Sequence, residues 1–387
     1  MSQREGGRFR SPSLAWYSSA MAPREIPIVD LAHLGGTPTE REKLADDLRV
    51  AFSHYGLVYV RSHGVDGANV GELYEDFLKF CASPQAAKEK LNTRDLWYQR
   101  GWTPPNTETA VVAGGQPDFK ECYFAAPEPV DPAMKRQYPQ ICADNVWPDG
   151  LPGFDARYLK MGHALHEAGV KLLRGAALSL GLAEDTFTSK IEGGAHVTRL
   201  LHYLPLRADQ VDTGILWGEE HTDFNLLTLL PGGRFYDADK RPCARPDDKS
   251  GLYLRTRATA ENPQGELVRG VPPEGCIVAQ VGQELEILTA GKFLATPHVV
   301  TAPGKPGFSR MSSAHFVHLH PNAIVYPLPS FDGPEADEYG PAVLAGTYAI
   351  KTLVDIGLAP RTALDKLGYR HYGRLGAIRT EELEKSG

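Results

Sequence analysis

His221-Thr222-Asp223 sets an imidazole and a carboxylate two residues apart at the head of an apolar run, Phe224-Asn225-Leu226-Leu227-Thr228-Leu229-Leu230. The run has the length and composition of a buried strand. Alternate residues of a strand share a face, so His221 and Asp223 are expected to point the same way and Thr222 the other. They would supply two-thirds of a facial triad, and a third ligand would leave three cis positions of an octahedral Fe(II) open to a chelating cosubstrate and O2. The candidate third ligand is His298, in Thr296-Pro297-His298-Val299-Val300. It follows a strand-like Glu284-Leu285-Glu286-Ile287-Leu288 and a turn at Ala290-Gly291-Lys292. The tripeptide by itself recurs by chance, as a surface histidine beside a solvated aspartate. Arg310-Met311-Ser312 adds the third feature, in a strand expected over 309–319. Its guanidinium and hydroxyl share one face and suit a carboxylate, although an exposed arginine on a surface strand is the commoner case. The order and spacing of all three features argue against chance.

Positioning these groups takes a scaffold of strands. Ile26-Pro27-Ile28-Val29-Asp30-Leu31 reads as a short strand; Thr37, Pro38 and Glu40 then form a capping box that starts a helix with Leu44, Leu48 and Phe52 on its apolar stripe. Gly56-Leu57-Val58-Tyr59-Val60 reads as a buried strand ending at His63-Gly64. Helical patterning follows over about 70–90, a Pro- and Gly-rich segment over 99–117, and the longest helix over 154–182. After residue 195 short β-rich runs separated by Gly and Pro mark a sandwich or barrel. Residues 231–270 read as a long polar stretch, broken by Gly251-Leu252-Tyr253-Leu254, and the end of the chain returns to helix.

In this order His221-x-Asp223, His298 and Arg310-x-Ser312 resemble the isopenicillin N synthase-like branch of the Fe(II)/2-oxoglutarate-dependent oxygenases. The opening segments just described, with Asp118-Phe119-Lys120-Glu121, look similar to that family as well. The resemblance implies an α+β fold with a mainly β core, a double-stranded β-helix or jelly roll with an N-terminal α/β segment and flanking helices. It divides the chain into a disordered leader at 1–24, a helix-rich segment at 25–190, a catalytic core at 191–330 carrying a lid or rim insert at 231–270, and a helical end at 331–387. It makes His221, Asp223 and His298 the iron ligands, with Arg310 and Ser312 on the far carboxylate of 2-oxoglutarate and Tyr203 beside them. The Asn that the family places two residues before that Tyr is Leu201 here. The implied activity is oxidation, chiefly hydroxylation, of an unactivated C–H bond of a small molecule with O2, releasing succinate and CO2. Two alternatives stand beside it: an iron oxidase of the isopenicillin N synthase type that works without 2-oxoglutarate, and a non-catalytic jelly-roll binding protein.

Some similarity extends to the bacterial ethylene-forming enzyme of the branch, through Pro117-Asp118-Phe119, Ala295-Thr296-Pro297-His298 and Tyr326-Pro327-Leu328. Glu108 could stand where that enzyme holds arginine. No Arg occurs around Tyr348-Ala349-Ile350, which disfavours arginine as substrate and ethylene as product. Trp102, Glu108, Phe119, Phe224 and Asn225 are candidate substrate contacts, and the aromatic ones suit a packed core equally well. His315, His318 and His320 form a histidine-rich run with His318 and His320 on the Arg310 face, read as hydrogen-bonded strand histidines ahead of a second metal site. His163 and His166 are read as solvent-facing helix positions.

Composition narrows the classes further. The 387 residues are 42% hydrophobic and 23% charged, which excludes a chain disordered throughout. Lys and Arg number 41 against 48 Asp and Glu, and no basic block stands out, so nucleic acid is not an expected partner. Cys81, Cys122, Cys142, Cys243 and Cys276 contain no C-x-x-C, which points away from a disulfide framework or zinc knuckle and towards the cytoplasm. No apolar run reaches membrane-spanning length. Arg4, Arg8 and Arg10 lie in a leader for which Met21 is an alternative start and a transit peptide the second reading.

Overall fold

Thr37 accepts a hydrogen bond from the Glu40 backbone, and the Glu40 carboxylate accepts one from the Thr37 backbone at 2.7 Å, which starts the helix Pro38–His54. Helices Gly67–Cys81 and Gln85–Glu89 replace the single stretch expected over 70–90. Pro84 disfavours helical geometry at Ser83 and divides them. The computed structural model describes residues 26–108, 118–211, 213–256 and 265–386. The leader and Met21 lie outside the described residues.

Strands β1 (Ile28–Asp30), β2 (Leu57–Arg61), β3 (Gly101–Thr103) and β4 (Lys120–Ala125) come from the first part of the chain. Then come β5 (Val197–Tyr203), β6 (Gly218–His221), β7 (Leu227–Leu230), β8 (Arg234–Tyr236), β9 (Pro242–Cys243), β10 (Gly251–Arg255), β11 (Leu267–Arg269), β12 (Ile277–Val281), β13 (His298–Thr301) and β14 (Ser309–Val317). The large sheet runs β1-β2-β12-β7-β14-β5-β4-β3, with β8 on β14 and β9 on β8; the small sheet runs β11-β10-β13-β6. The two sheets pack as a jelly roll. Leu201 and Tyr203 of β5 and Phe235 of β8 meet Trp217, Leu252 of β10 and Val300 of β13 in one buried cluster.

The helix Phe154–Ser179 covers the other face of the large sheet. A methyl group on Gly169 would come 3.0 Å from Val317 and 3.1 Å from Leu229, so the absence of a side chain there lets the helix sit close on β14 and β7. Ala349, Ile350 and Leu353 of the helix Ala345–Asp355 form a second cluster with Tyr138 and Ile141, against which Phe224 packs.

Several expected elements are corrected. The run 224–230 is a strand only from Leu227, because His221 ends β6 in the small sheet and the chain crosses to the large sheet through 222–226. Residues 284–288 lie in a helix, Gln283–Leu288, which buries Glu284, Leu285 and Leu288 at helical spacing. The strand expected over 309–319 ends at Val317. The stretch 231–270 is no rim loop over its described length, since it supplies β8 to β11 and β10 is a central strand of the small sheet. Residues 257–264 of it lie outside the described residues.

Candidate functional site

Antiparallel pairing of β13 with β6 sets His298 directly opposite His221, with their ring centroids 4.3 Å apart. Asp223 follows in the crossing segment, so a turn between sheets, not strand alternation, brings its carboxylate to the two rings. Its Oδ1 lies 3.7 Å from Nε2 of His221 and 3.9 Å from Nε2 of His298. The donor atoms of the three residues all fall within 4.8 Å of one another.

Each donor is oriented by a second partner. His221 Nδ1 is 2.7 Å from the Glu219 carbonyl oxygen, which can only accept, so the proton sits on Nδ1 and the lone pair on Nε2. His298 Nδ1 lies 3.4 Å from the Thr296 carbonyl oxygen and 3.2 Å from the Gln280 amide nitrogen, and these contacts turn Nε2 towards Asp223. Thr228 donates to Asp223 Oδ2 at 2.7 Å, and Asn225 donates to Thr228 Oγ at 3.1 Å. Burial, then the neighbouring His221 ring, pushes the His298 imidazole down to about 4. Two neutral imidazoles and one carboxylate converging on a point are a donor set suited to a divalent first-row ion such as Fe(II).

Across the barrel, β14 pairs with β5 so that Arg310 lies opposite Tyr203 and Ser312 opposite Leu201. Arg310, Ser312 and Tyr203 are all buried, and the guanidinium sits 5.4 Å from the centroid of the Tyr203 ring. Among the described residues Arg310 has no carboxylate partner. A buried cation without a counter-charge is costly, and an incoming carboxylate would remove that cost. Gly233 flanks the guanidinium so closely that a methyl group there would lie 2.5 Å from its Nε and Cζ.

The candidate substrate residues separate. Phe224 lines a cleft and packs 5.2 Å from the His318 ring, while Asn225 faces inward to Thr228 and belongs to the support of Asp223. Phe119 packs on the inter-sheet cluster. Glu108 pairs with both Arg199 and Lys120, at 3.2 Å from the latter; burial works against its charge, but the two cations hold it at about 2. Trp102 is buried and donates to Glu121 at 2.9 Å. Glu121 also takes bonds from Lys88 and His202, and with Cys81 these form a second group of metal-ligand types. The Lys88 ammonium already neutralises that carboxylate, and the group reads as a satisfied network under the helix Gly67–Cys81.

Of the remaining histidines, His163 is solvent-facing as expected and His166 is not. His166 is buried, its ring tilted 4.4 Å from that of His196 and its Nδ1 3.3 Å from Nε2 of His315, whereas His163 pairs with Glu128 at 2.7 Å. His320 pairs with Asp131 at 3.3 Å, and His318 turns into the cleft. Sequence reasoning missed Thr228, Gln280 and Gly233. Thr228 and Gln280 are polar residues inside otherwise apolar strands, a signal of inward hydrogen bonding that was there to read.

Residues 26–150 match the family described as non-haem dioxygenase in morphine synthesis, N-terminal. A 2-oxoglutarate-Fe(II) type oxidoreductase of Metarhizium majus is 25% identical over 313 residues, covering 76% of this chain and 77% of that protein. A homoarginine-6-hydroxylase of rice, Oryza sativa subsp. japonica, is 26% identical over 323 residues, covering 79% and 89%. Among solved structures, a protein from Caulobacter crescentus described as 2OG-Fe(II) oxygenase family superposes with a TM-score of 0.67 at 26% identity, covering 85% of this chain and 98% of its own. A full-length Neurospora crassa protein solved in complex with alpha-KG gives 0.68 at 22% identity, with 85% and 96% covered, a likeness of fold.

Proposed function

The chain belongs to the Fe(II)/2-oxoglutarate-dependent oxygenases, and from that premise we propose that His221, Asp223 and His298 hold the iron while Arg310, Ser312 and Tyr203 seat the far carboxylate of 2-oxoglutarate. We propose further that the reaction hydroxylates an unactivated C–H bond of a small molecule. The observation that carries the reading is the convergence of two imidazoles and one carboxylate oxygen, together with a buried Arg310 guanidinium that has no carboxylate partner among the described residues.

When bound, Fe(II) supplies the redox chemistry by which substrate, 2-oxoglutarate and O2 become hydroxylated product, succinate and CO2. The protein's own residues do the positioning. The Glu219 carbonyl fixes the tautomer of His221, Thr296 and Gln280 hold the Nδ1 edge of His298, and Thr228 holds Asp223 so that Oδ1 faces the rings. Arg310 orients the cosubstrate through a paired, charge-assisted contact at the far end of the barrel. Phe224, the residue after Asp223, walls the approach on that side.

Anaerobic addition of Fe(II) and 2-oxoglutarate tests the reading. The expected result is a weak visible charge-transfer band from the chelate, followed by succinate when O2 is admitted. Stoichiometric Fe(II) with neither band nor succinate would overturn the 2-oxoglutarate assignment.

A further inference from the structure

Phe224, the residue that follows Asp223, lines a cleft that opens to solvent. Its apolar wall includes Phe224, Val197 and Leu353. Its polar wall is formed by Arg100, Glu284 and His318, residues remote in sequence that none of the roles above uses.

Each of the three is buried and presents donors. Arg100 is 1% exposed, and its guanidinium donates to the carbonyls of Ala143, Gln99 and Ile141, at 2.9, 2.7 and 3.3 Å. Those bonds use three of its five N–H groups and bring no negative charge, and among the described residues no carboxylate pairs with it. The cost of burying that cation stands until an anion arrives. Glu284 Oε2 accepts from the Leu319 backbone at 3.1 Å, and Oε1 has no partner among the described residues. Burial raises the Glu284 carboxyl to about 8, so at neutral pH it is an acid with an O–H to donate. The His318 ring packs on Phe224, and neither ring nitrogen has a hydrogen-bond partner among the described residues.

The wall thus carries one positive charge, no negative charge at neutral pH, and N–H and O–H groups from three separate elements. A negatively charged, acceptor-rich group would supply the missing counter-charge to Arg100 and take hydrogen bonds from the other two. We propose that the substrate is a small organic acid whose carboxylate is seated on Arg100, His318 and Glu284, with its apolar part against Phe224 and Val197. The proposal rests on the reading of His221, Asp223 and His298 as the iron centre, since Phe224 ties the cleft to Asp223.

The test uses the full chain, loaded anaerobically with Fe(II) and saturating 2-oxoglutarate, and two probes of one shape and different charge, cyclohexanecarboxylate and cyclohexanecarboxamide. Binding is measured by calorimetry at pH 7, with the chelate band followed on the same samples. The carboxylate is expected to bind at least tenfold tighter than the carboxamide with the band retained. Arg100→Gln should erase the preference. Because that variant also removes three carbonyl contacts and can fail to fold, His318→Leu serves as the second, expected to weaken the carboxylate at least threefold and the carboxamide less. Equal binding of the two probes, binding of neither, or a carboxylate that bleaches the band by taking the 2-oxoglutarate seat would overturn the proposal. So would a preference that survives in every folded variant. A missing chelate band would instead count against the iron reading, and calorimetry on the same protein would still decide the cleft.

Discussion

Gly233 is the position at which the cosubstrate seat can be perturbed without touching any proposed ligand. A methyl group there would stand 2.5 Å from Nε and Cζ of Arg310, about 1 Å inside ordinary contact. The backbone has little freedom to yield, because the buried Tyr74 hydroxyl donates to the adjacent Gly232 carbonyl at 2.7 Å. The guanidinium must therefore leave its place over the Tyr203 ring. A hydrogen bond to a charged group contributes roughly 1.5–3 kcal/mol, and 1.4 kcal/mol is a factor of ten, so Gly233→Ala should weaken 2-oxoglutarate by about 10- to 150-fold. Iron binding should hold, since the triad lies on β6, β13 and the crossing segment. The assay pairs a titration of the chelate band with the KM for 2-oxoglutarate from succinate release. A folded Gly233→Ala protein whose KM stays within threefold of the parent, or whose iron affinity falls in parallel, would refute the assignment of Arg310.

Thr228→Val removes the bond to Asp223 Oδ2 at nearly constant volume, and iron affinity measured by competition with a chelator should drop about 10- to 100-fold while the melting temperature of the metal-free protein changes little. Asp223→Ala removes the one carboxylate of the triad, and both stoichiometric Fe(II) and 2-oxoglutarate-dependent O2 uptake should vanish. Acid should destabilise the metal-free fold through His166, which burial holds down at about 4. Because the unfolded chain binds the proton near pH 6.5 and the folded one only near 4, stability is intact above 6.5 and falls by about 1.4 kcal/mol per pH unit between those values. His196, His298, His315 and His318, which burial also holds low, add to that slope, so thermal melts should show at least that much and His166→Gln should reduce it by about one proton's share; an unchanged slope would remove His166 as a source.

Strand patterning after residue 195 and the capping box at Thr37 and Glu40 were legible because they are local: each depends on residues a few positions apart. The match of His221 with His298 was legible in type but not in cause. Alternation along one strand was expected to aim His221 and Asp223 together, and the structure instead makes His221 and His298 cross-strand partners, with Asp223 added by the crossing chain. The misread helix Gln283–Leu288 has a related origin. Five residues with three apolar ones, Leu285, Ile287 and Leu288, satisfy a strand and a helical turn alike, and the contact of the Leu319 backbone with Glu284 comes from 35 positions away.

The same distance effect separates the ligands from the residues that tune them. A metal ligand declares itself by type, because few side chains can bind iron, whereas its support need only offer one correctly placed donor or acceptor. Thr228 could have been serine, and the Gln280 amide could have been a backbone carbonyl, with the same chemical result. Arg100 is the extreme case: in the sequence it is one arginine in a Pro- and Gly-rich stretch, and only the fold shows its charge buried beside Phe224 with no carboxylate to meet it. Charge that is exposed in the unfolded chain has no cost to explain; charge that folding buries requires a counterpart, and where the protein supplies none the ligand must.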